Sequence, residues 1–162
     1  PHCFTTLKND YSELGIELDV VHHSQFIDEL ISDKKIEPTP WMDEDVTFHD
    51  PCYLGRHNDE YDAPRNVIQS VLRDGNLIEM EQSKSESFCC GAGGGNMWYE
   101  VKTGDRINQN RVKQAVDTQA KTVAAACNFC NIMLEDGAKT TENDSNINIL
   151  DIAEMVSKGL SK

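Results

Sequence analysis

Short apolar runs rich in Val, Ile and Ala alternate along the chain with stretches of helical period, the pattern of a parallel sheet covered by helices. Strands are predicted at Glu17–Val21, Asp45–Phe48, Asn76–Glu81, Lys121–Ala126 and Ile147–Leu150. Between them, Ser24–Asp33 reads as a helix capped by Ser24, with Phe26, Ile27, Leu30 and Ile31 as its apolar stripe. Ala63–Arg73 carries Val67, Ile68, Val71 and Leu72 at helical spacing and stops at Asp74-Gly75. Asn96–Ala120 is expected to be mostly helical with an interruption near Gly104, and helices are also expected from Cys127 to Ala138 and over Asp151–Lys158. Lys34–Asp43, with Pro38 and Pro40, reads as a linker, and Gln82–Glu86 as a polar loop.

The cysteines fall at one kind of place in this pattern. Cys52, the pair Cys89-Cys90, and Cys127 each follow a predicted strand. In a parallel sheet those carboxyl ends share one edge, where ligands of open α/β sheets bind. The expectation is a small Rossmann-like α/β domain with helices on both faces and its cysteine loops at the carboxyl edge.

Length and charge narrow the function. At 162 residues one domain is expected. Lys+Arg 15 against Asp+Glu 28 gives a formal net charge of −13, the wrong sign for neutralising phosphates or anionic lipid heads. Nucleic-acid binding and direct membrane insertion are therefore not expected, and no run approaches the roughly 18 apolar residues of a spanning helix. Six cysteines in this length fall below the roughly 8–10% of a secreted disulfide scaffold. With no basic and apolar leader, the expected location is cytoplasmic, where clustered cysteines serve as metal ligands or redox groups.

The spacing carries chemistry. Cys52 precedes Cys89 by 36 intervening residues, and another 36 separate Cys90 from Cys127-x-x-Cys130. A CxxC at a helix start aims two thiolates at one point and lowers their pKa, which suits zinc, a dithiol redox pair or an iron–sulfur centre alike. Adjacent side chains such as Cys89 and Cys90 diverge, so they fit a small tetrahedral ion poorly and a multi-iron object better. A Cys89–Cys90 disulfide requires a strained eight-membered ring. Gly91-Ala-Gly-Gly-Gly95 lacks both the GxGxxG register and the Walker lysine. It reads as a tight turn into the next helix, or as backbone free to approach an inorganic core and point N–H groups at sulfur.

Other residues support blander readings. His49-Asp50-Pro51 fits a strand exit, and His22-His23 fits structural histidines or a ligand at the same edge. Arg56, His57 and Arg65 fit surface ion pairs or a positive site for an anionic partner, and Trp41 and Trp98 fit packing positions.

Taken together, His49-Asp-Pro-Cys-Tyr-Leu-Gly-Arg56, Phe88-Cys-Cys-Gly-Ala-Gly-Gly-Gly95 and Cys127-x-x-Cys130 resemble the cysteine-rich CCG domain of the B and D polypeptides of heterodisulfide reductase, of the glycolate oxidase iron–sulfur subunit and of related iron–sulfur oxidoreductases. The resemblance runs from Cys3 to about Val156. Asn128 stands where a proline is common in the family's CPxC. The resemblance implies that Cys52, Cys89, Cys90, Cys127 and Cys130 hold a noncubane [4Fe–4S] cluster, with Gly91 beside it and zinc as the alternative occupant.

It also implies two such domains in tandem. Pro1-His2-Cys3-Phe4 resembles the end of a first domain's CPHCF motif, and His2-Cys3 through Asp10 echoes Phe129-Cys130 through Asp136. Residues 1–16 are then the tail of a preceding CCG domain, Cys3 a ligand of that neighbour's cluster, and 17–162 the C-terminal copy. The implied role is electron transfer or disulfide reduction within an oxidoreductase, the isolated domain lacking half of the disulfide site. The implied partners are the preceding CCG domain, a ferredoxin-like domain, and flavoprotein or electron-transferring flavoprotein subunits. The alternatives are a zinc-bound or metal-free scaffold that docks subunits, and a metal-free dithiol oxidoreductase using Cys127 and Cys130.

Overall fold

The computed structural model describes residues 1–99, 104–143 and 146–160. A helical run opens the chain: α1 (His2–Thr5), a π turn at Thr6–Asp10, and α2 (Tyr11–Glu13). There follow α3 (His23–Ser32), β1 (Val46–His49), α4 (Gly55–Asn58), α5 (Asp62–Gln69) and β2 (Leu77–Ile78). The remainder is α6 (Ile107–Asp117), β3 (Thr122–Ala125), α7 (Asn128–Thr140), β4 (Asn148–Asp151) and α8 (Ile152–Leu160).

The four strands form one parallel sheet in the order β2-β1-β3-β4. Alternation along the strands divides the interior in two. Val46 and Phe48 of β1, with Ala124 of β3, pack with Val67 and Ile68 of α5 and Ile152 and Met155 of α8. The other face carries Val123 and Ala125, which pack with Val112 and Ala115 of α6 and Met133 and Leu134 of α7. Thr47 and His49, alternating with Val46 and Phe48, point to that second face. Helices therefore cover both faces, as the alternating pattern predicts. The chain leaves β1 for β2 on one side and returns past it to β3 on the other, so the gap between β1 and β3 is the topological switch point of the sheet.

The sequence and structure part at several elements. Glu17–Val21 is extended but pairs with no strand: Val20 packs on the core while Leu18 and Val21 stay exposed. Its strand-like composition is not answered by pairing with either edge strand, β2 or β4. The cap of α3 is His22, whose Nδ1 accepts the Ser24 N–H, rather than Ser24. Helix α5 ends at Gln69 because the following turn returns to the linker, where Met42 bridges to Leu72. The edge strand β2 spans two residues instead of six. Within Asn96–Ala120, a short 3-10 stretch at Gly93–Trp98 precedes α6, and residues 100–103 lie outside the described residues. Trp41 packs as expected and donates Nε1–H to the Met155 carbonyl at 3.0 Å, whereas Trp98 is 84% exposed.

Candidate metal centre

The carboxyl ends of β1 and β3 flank the switch point, and both end in cysteine-bearing turns. β1 leads through His49, Asp50 and Pro51 to Cys52, and β3 leads through Ala126 to Cys127, the residue that caps the start of α7. One turn into that helix, Cys130 projects back toward the same place. The third contribution, Cys89-Cys90, arrives on a longer segment after β2. Cys52, Cys89, Cys90, Cys127 and Cys130 all line a single small cleft, together with Tyr53 and the N-terminal Pro1 and His2. Cys90, Cys127 and Cys130 are buried, Cys52 and Cys89 half-buried, and none forms a disulfide.

The thiols contact one another, and Cys90 is the centre of the set. Its sulfur accepts hydrogen bonds first from Cys130, then from Cys89 and His49, which hold its pKa far below the ordinary thiol value despite burial. Its neighbours move the other way: Cys89, through Cys90 and burial, and Cys130, through Cys127, Cys90 and burial, are both raised. Cys127 is lowered to about 6 by Cys130, against burial and with help from the backbone N–H groups of Cys130 and Phe129 at the start of α7. Burial, followed by the nearby Cys90, pushes Cys52 up. The shifts of Cys90 and Cys127 run toward the thiolate, the form in which a cysteine binds a metal.

Gly91 adopts φ +93°, a conformation that favours glycine, and its N–H points at Cys89 Sγ at 3.3 Å. This matches the expectation of backbone donors aimed at sulfur. A Cβ on Gly91 would lie 3.2 Å from Ile107 Cβ and 3.3 Å from the Asn108 nitrogen, so α6 packs directly over the turn.

Behind the cysteines is a polar layer. His49, fully buried, brings a ring nitrogen within 4.8 Å of the Cys90 and Cys130 sulfurs. Arg111 of α6, also fully buried, donates Nε–H to His49 Nδ1 at 3.0 Å. Its remaining hydrogen bonds go to the Gln82 carbonyl, Gln114 and the Ser87 hydroxyl. Sequence reasoning treats His49 as a strand exit and does not single out Arg111. The available signal was position: Arg111 lies on the same helical stripe as Asn108, Val112 and Ala115, the buried face of α6.

Other candidates fall elsewhere. Arg65 forms a two-pronged pair with Asp50 and a second with Glu79, and Arg56 donates to the Ser87 carbonyl at 2.6 Å, so both arginines build the loops. His57 stacks on Tyr53 with ring centroids 4.5 Å apart. His22 and His23 border a neighbouring apolar groove, as does exposed Cys3, rather than the cysteine cleft. The N-terminal helical run packs on the domain: Phe4 is buried in the core, and Asn58 donates to the Thr5 hydroxyl at 2.7 Å. The two members of the sequence echo meet, the His2 and Phe129 rings lying edge to face at 5.0 Å.

Comparison with known proteins agrees with this arrangement. The chain is 39% identical over 160 residues to a probable iron–sulfur-binding oxidoreductase, FadF, of Bacillus subtilis, covering 99% of this chain and 23% of that protein. It is 38% identical over 167 residues to an EtfAB:quinone oxidoreductase of Syntrophomonas wolfei, covering 99% and 23%. It is 38% identical over 161 residues to the D polypeptide of the dihydromethanophenazine:CoB–CoM heterodisulfide reductase of Methanosarcina barkeri, covering 98% and 39%. The chain thus spans between about a quarter and two-fifths of the length of these relatives. The CCG family, a cysteine-rich domain, matches residues 46–135, a segment that runs from β1 into α7 and contains all five cleft cysteines, and the chain belongs to that family.

Proposed function

We propose that this chain is an iron–sulfur electron-transfer domain of a heterodisulfide reductase-like oxidoreductase, and that Cys52, Cys89, Cys90, Cys127 and Cys130 hold a noncubane [4Fe–4S] cluster. The observation that carries the reading is that five cysteines from three loops line one cleft at the switch point of the sheet. The donor set fits. Soft sulfur ligands select iron–sulfur clusters, zinc or copper, and five exceed the four that one tetrahedral ion or a cubane cluster takes. When bound, such a cluster supplies one-electron redox chemistry.

The protein's contribution is organisation. Helix α7 presents two sulfurs from its first turn with N–H groups behind them, Gly91 lets the backbone approach Cys89, and α6 closes the site from the second face of the sheet. Relatives named as iron–sulfur-binding or as heterodisulfide reductase subunits support the cofactor class, and the relative named EtfAB:quinone oxidoreductase supports a flavoprotein electron donor. Among the described residues no helix is long and apolar enough to cross a membrane; we assign membrane association to other domains or subunits of the assembly. We assign residues 1–16 to the end of a preceding CCG domain, with Cys3 serving that domain; its exposure outside the cleft supports this division. A ferredoxin-like domain completes the proposed path.

The test is anaerobic purification of the whole polypeptide, with iron and acid-labile sulfide assays and EPR during redox titration. The expected result is a coloured protein whose redox-dependent EPR signal is lost in Cys90→Ser and in Cys127→Ser. His49, Cys90 and Cys130 form a three-donor group that favours a second reading, structural zinc. A colourless protein with about one zinc per chain would overturn the first.

A further inference from the structure

Arg111, in the polar layer behind the cysteines, decides what His49 does. A guanidinium has donors only, and it is never an acceptor at accessible pH. Arg111 Nε–H is directed at His49 Nδ1 at 3.0 Å, so Nδ1 must be the ring nitrogen that carries no proton. A neutral imidazole keeps its single N–H on the other nitrogen, which makes Nε2 a donor. A ring nitrogen of His49 lies within 4.8 Å of the Cys90 sulfur, and both groups are buried.

A histidine that ligates a metal through Nε2 has the opposite arrangement. Its Nε2 lone pair goes to the metal, and its Nδ1–H is donated to an acceptor such as a carbonyl or carboxylate. Here the group on Nδ1 is a cation with no acceptor to offer. Ligation through Nε2 would require loss of both ring protons or rupture of the contact with Arg111. That contact is held on several sides, because the same guanidinium also binds the Gln82 carbonyl at 2.9 Å, Gln114 at 2.7 Å and the Ser87 hydroxyl at 3.2 Å. Ser87 is two residues before Cys89, and its own hydroxyl donates to the Asp50 carbonyl between His49 and Cys52. Arg111 therefore ties together two of the three cysteine loops while fixing the tautomer of the ring between them.

We infer that His49 is not a metal ligand but a fixed hydrogen-bond donor to Cys90 Sγ, locked in its Nε2–H tautomer by Arg111, and that the pair sets the reduction potential of the centre. This inference rests on the iron–sulfur reading above. A hydrogen bond to a ligating sulfur withdraws negative charge from the centre and favours its reduced state, so removing the donor moves the potential in the negative direction. Arg111 is a positioning residue: it fixes the His49 ring and ties the two loops, and Arg111→Lys keeps the positive charge that also faces the Cys90 and Cys130 sulfurs.

The experiment uses the whole polypeptide, purified anaerobically with 15N-labelled histidine, and compares wild type with His49→Leu, His49→Gln and Arg111→Lys. Iron and sulfide are measured first, and a polypeptide containing neither overturns the cluster reading itself. In the loaded wild type, pulsed EPR should show only weak histidine-nitrogen coupling at this centre. A strong coupling of a directly bound nitrogen, lost in His49→Leu, would make His49 a ligand and sink the inference alone. The midpoint potential should shift negative in His49→Leu. It should return toward wild type in His49→Gln, whose side-chain N–H reaches the position of Nε2, and shift in the same direction as His49→Leu in Arg111→Lys. An unchanged potential in His49→Leu would equally overturn it. The wild-type coupling decides the question of ligation even where a variant fails to fold.

Discussion

Arg65 grips Asp50 with two parallel hydrogen bonds, Nη1 to Oδ1 at 2.8 Å and Nη2 to Oδ2 at 3.0 Å, and both side chains are almost wholly buried. Asp50 Oδ2 also accepts the Lys84 backbone N–H at 2.8 Å. One carboxylate thus joins α5, the turn before Cys52 and the loop that leads to Cys89-Cys90. Breaking a buried pair by removing one partner leaves an uncompensated charge and costs about 3–5 kcal/mol. Asp50→Ala should therefore lower stability by about that amount in denaturant titration, and should also lower the iron bound per chain. A variant as stable as wild type would show that the loops are held by other contacts.

Gly91 makes a different demand, on the backbone. With φ at +93° and Ile107 and Asn108 in contact distance, an alanine there must distort the turn and press on α6 at once. Each effect is of the order of 1–3 kcal/mol. Gly91→Ala should destabilise the domain and loosen the Gly91 N–H to Cys89 Sγ contact, giving a protein with reduced iron content or an altered EPR line shape. Wild-type stability and iron content in Gly91→Ala would show that the turn relaxes freely.

Where α6 crosses α7, Gly137 sets the approach. A Cβ there would come within 2.9 Å of the Asn108 carbonyl oxygen and of Val112 Cγ2. Since α7 carries Cys130 and α6 carries Arg111, forcing the helices apart should act on both the fold and the site. Gly137→Ala should cost about 1–3 kcal/mol in denaturant titration, the usual range for overpacking. An unchanged unfolding midpoint would mean that the crossing relaxes freely.

What could be read from the sequence was set by local chemistry. The strands β1, β3 and β4 are apolar runs bounded by turn residues, and a parallel sheet puts all their carboxyl ends on one edge, so the meeting of Cys52 with Cys127 followed from pattern. Glu17–Val21 carries a comparable pattern, but a strand also needs a neighbour's open edge, and no local rule supplies one. Arg111 and His49 lie 62 positions apart, and their pairing depends on α6 returning over the second face of the sheet. Arg65 could be read as a free cation only because its partners Asp50 and Glu79 are brought to it by the fold.

His22 links the fold to pH. Its Nδ1 accepts the Ser24 N–H that begins α3, and burial, followed by repulsion from the adjacent His23, lowers its pKa from 6.5 to about 3. Asp151 faces His23 at 3.8 Å and partly offsets charge on that second ring. Because the folded pKa of His22 lies below the unfolded one, the unfolded chain binds more protons between about pH 3 and 6.5. Stability from the neutral ring is therefore present above pH 6.5 and is lost as pH falls through that window. One pKa unit corresponds to about 1.4 kcal/mol, so going from pH 6.5 to about pH 5 should remove roughly 2 kcal/mol. His22→Asn keeps an acceptor suited to a helix cap and cannot titrate. Denaturant midpoints should show the variant losing about 2 kcal/mol less than wild type over that range, and parallel curves would mean that the ring takes up its proton at the same pH in the folded and unfolded states.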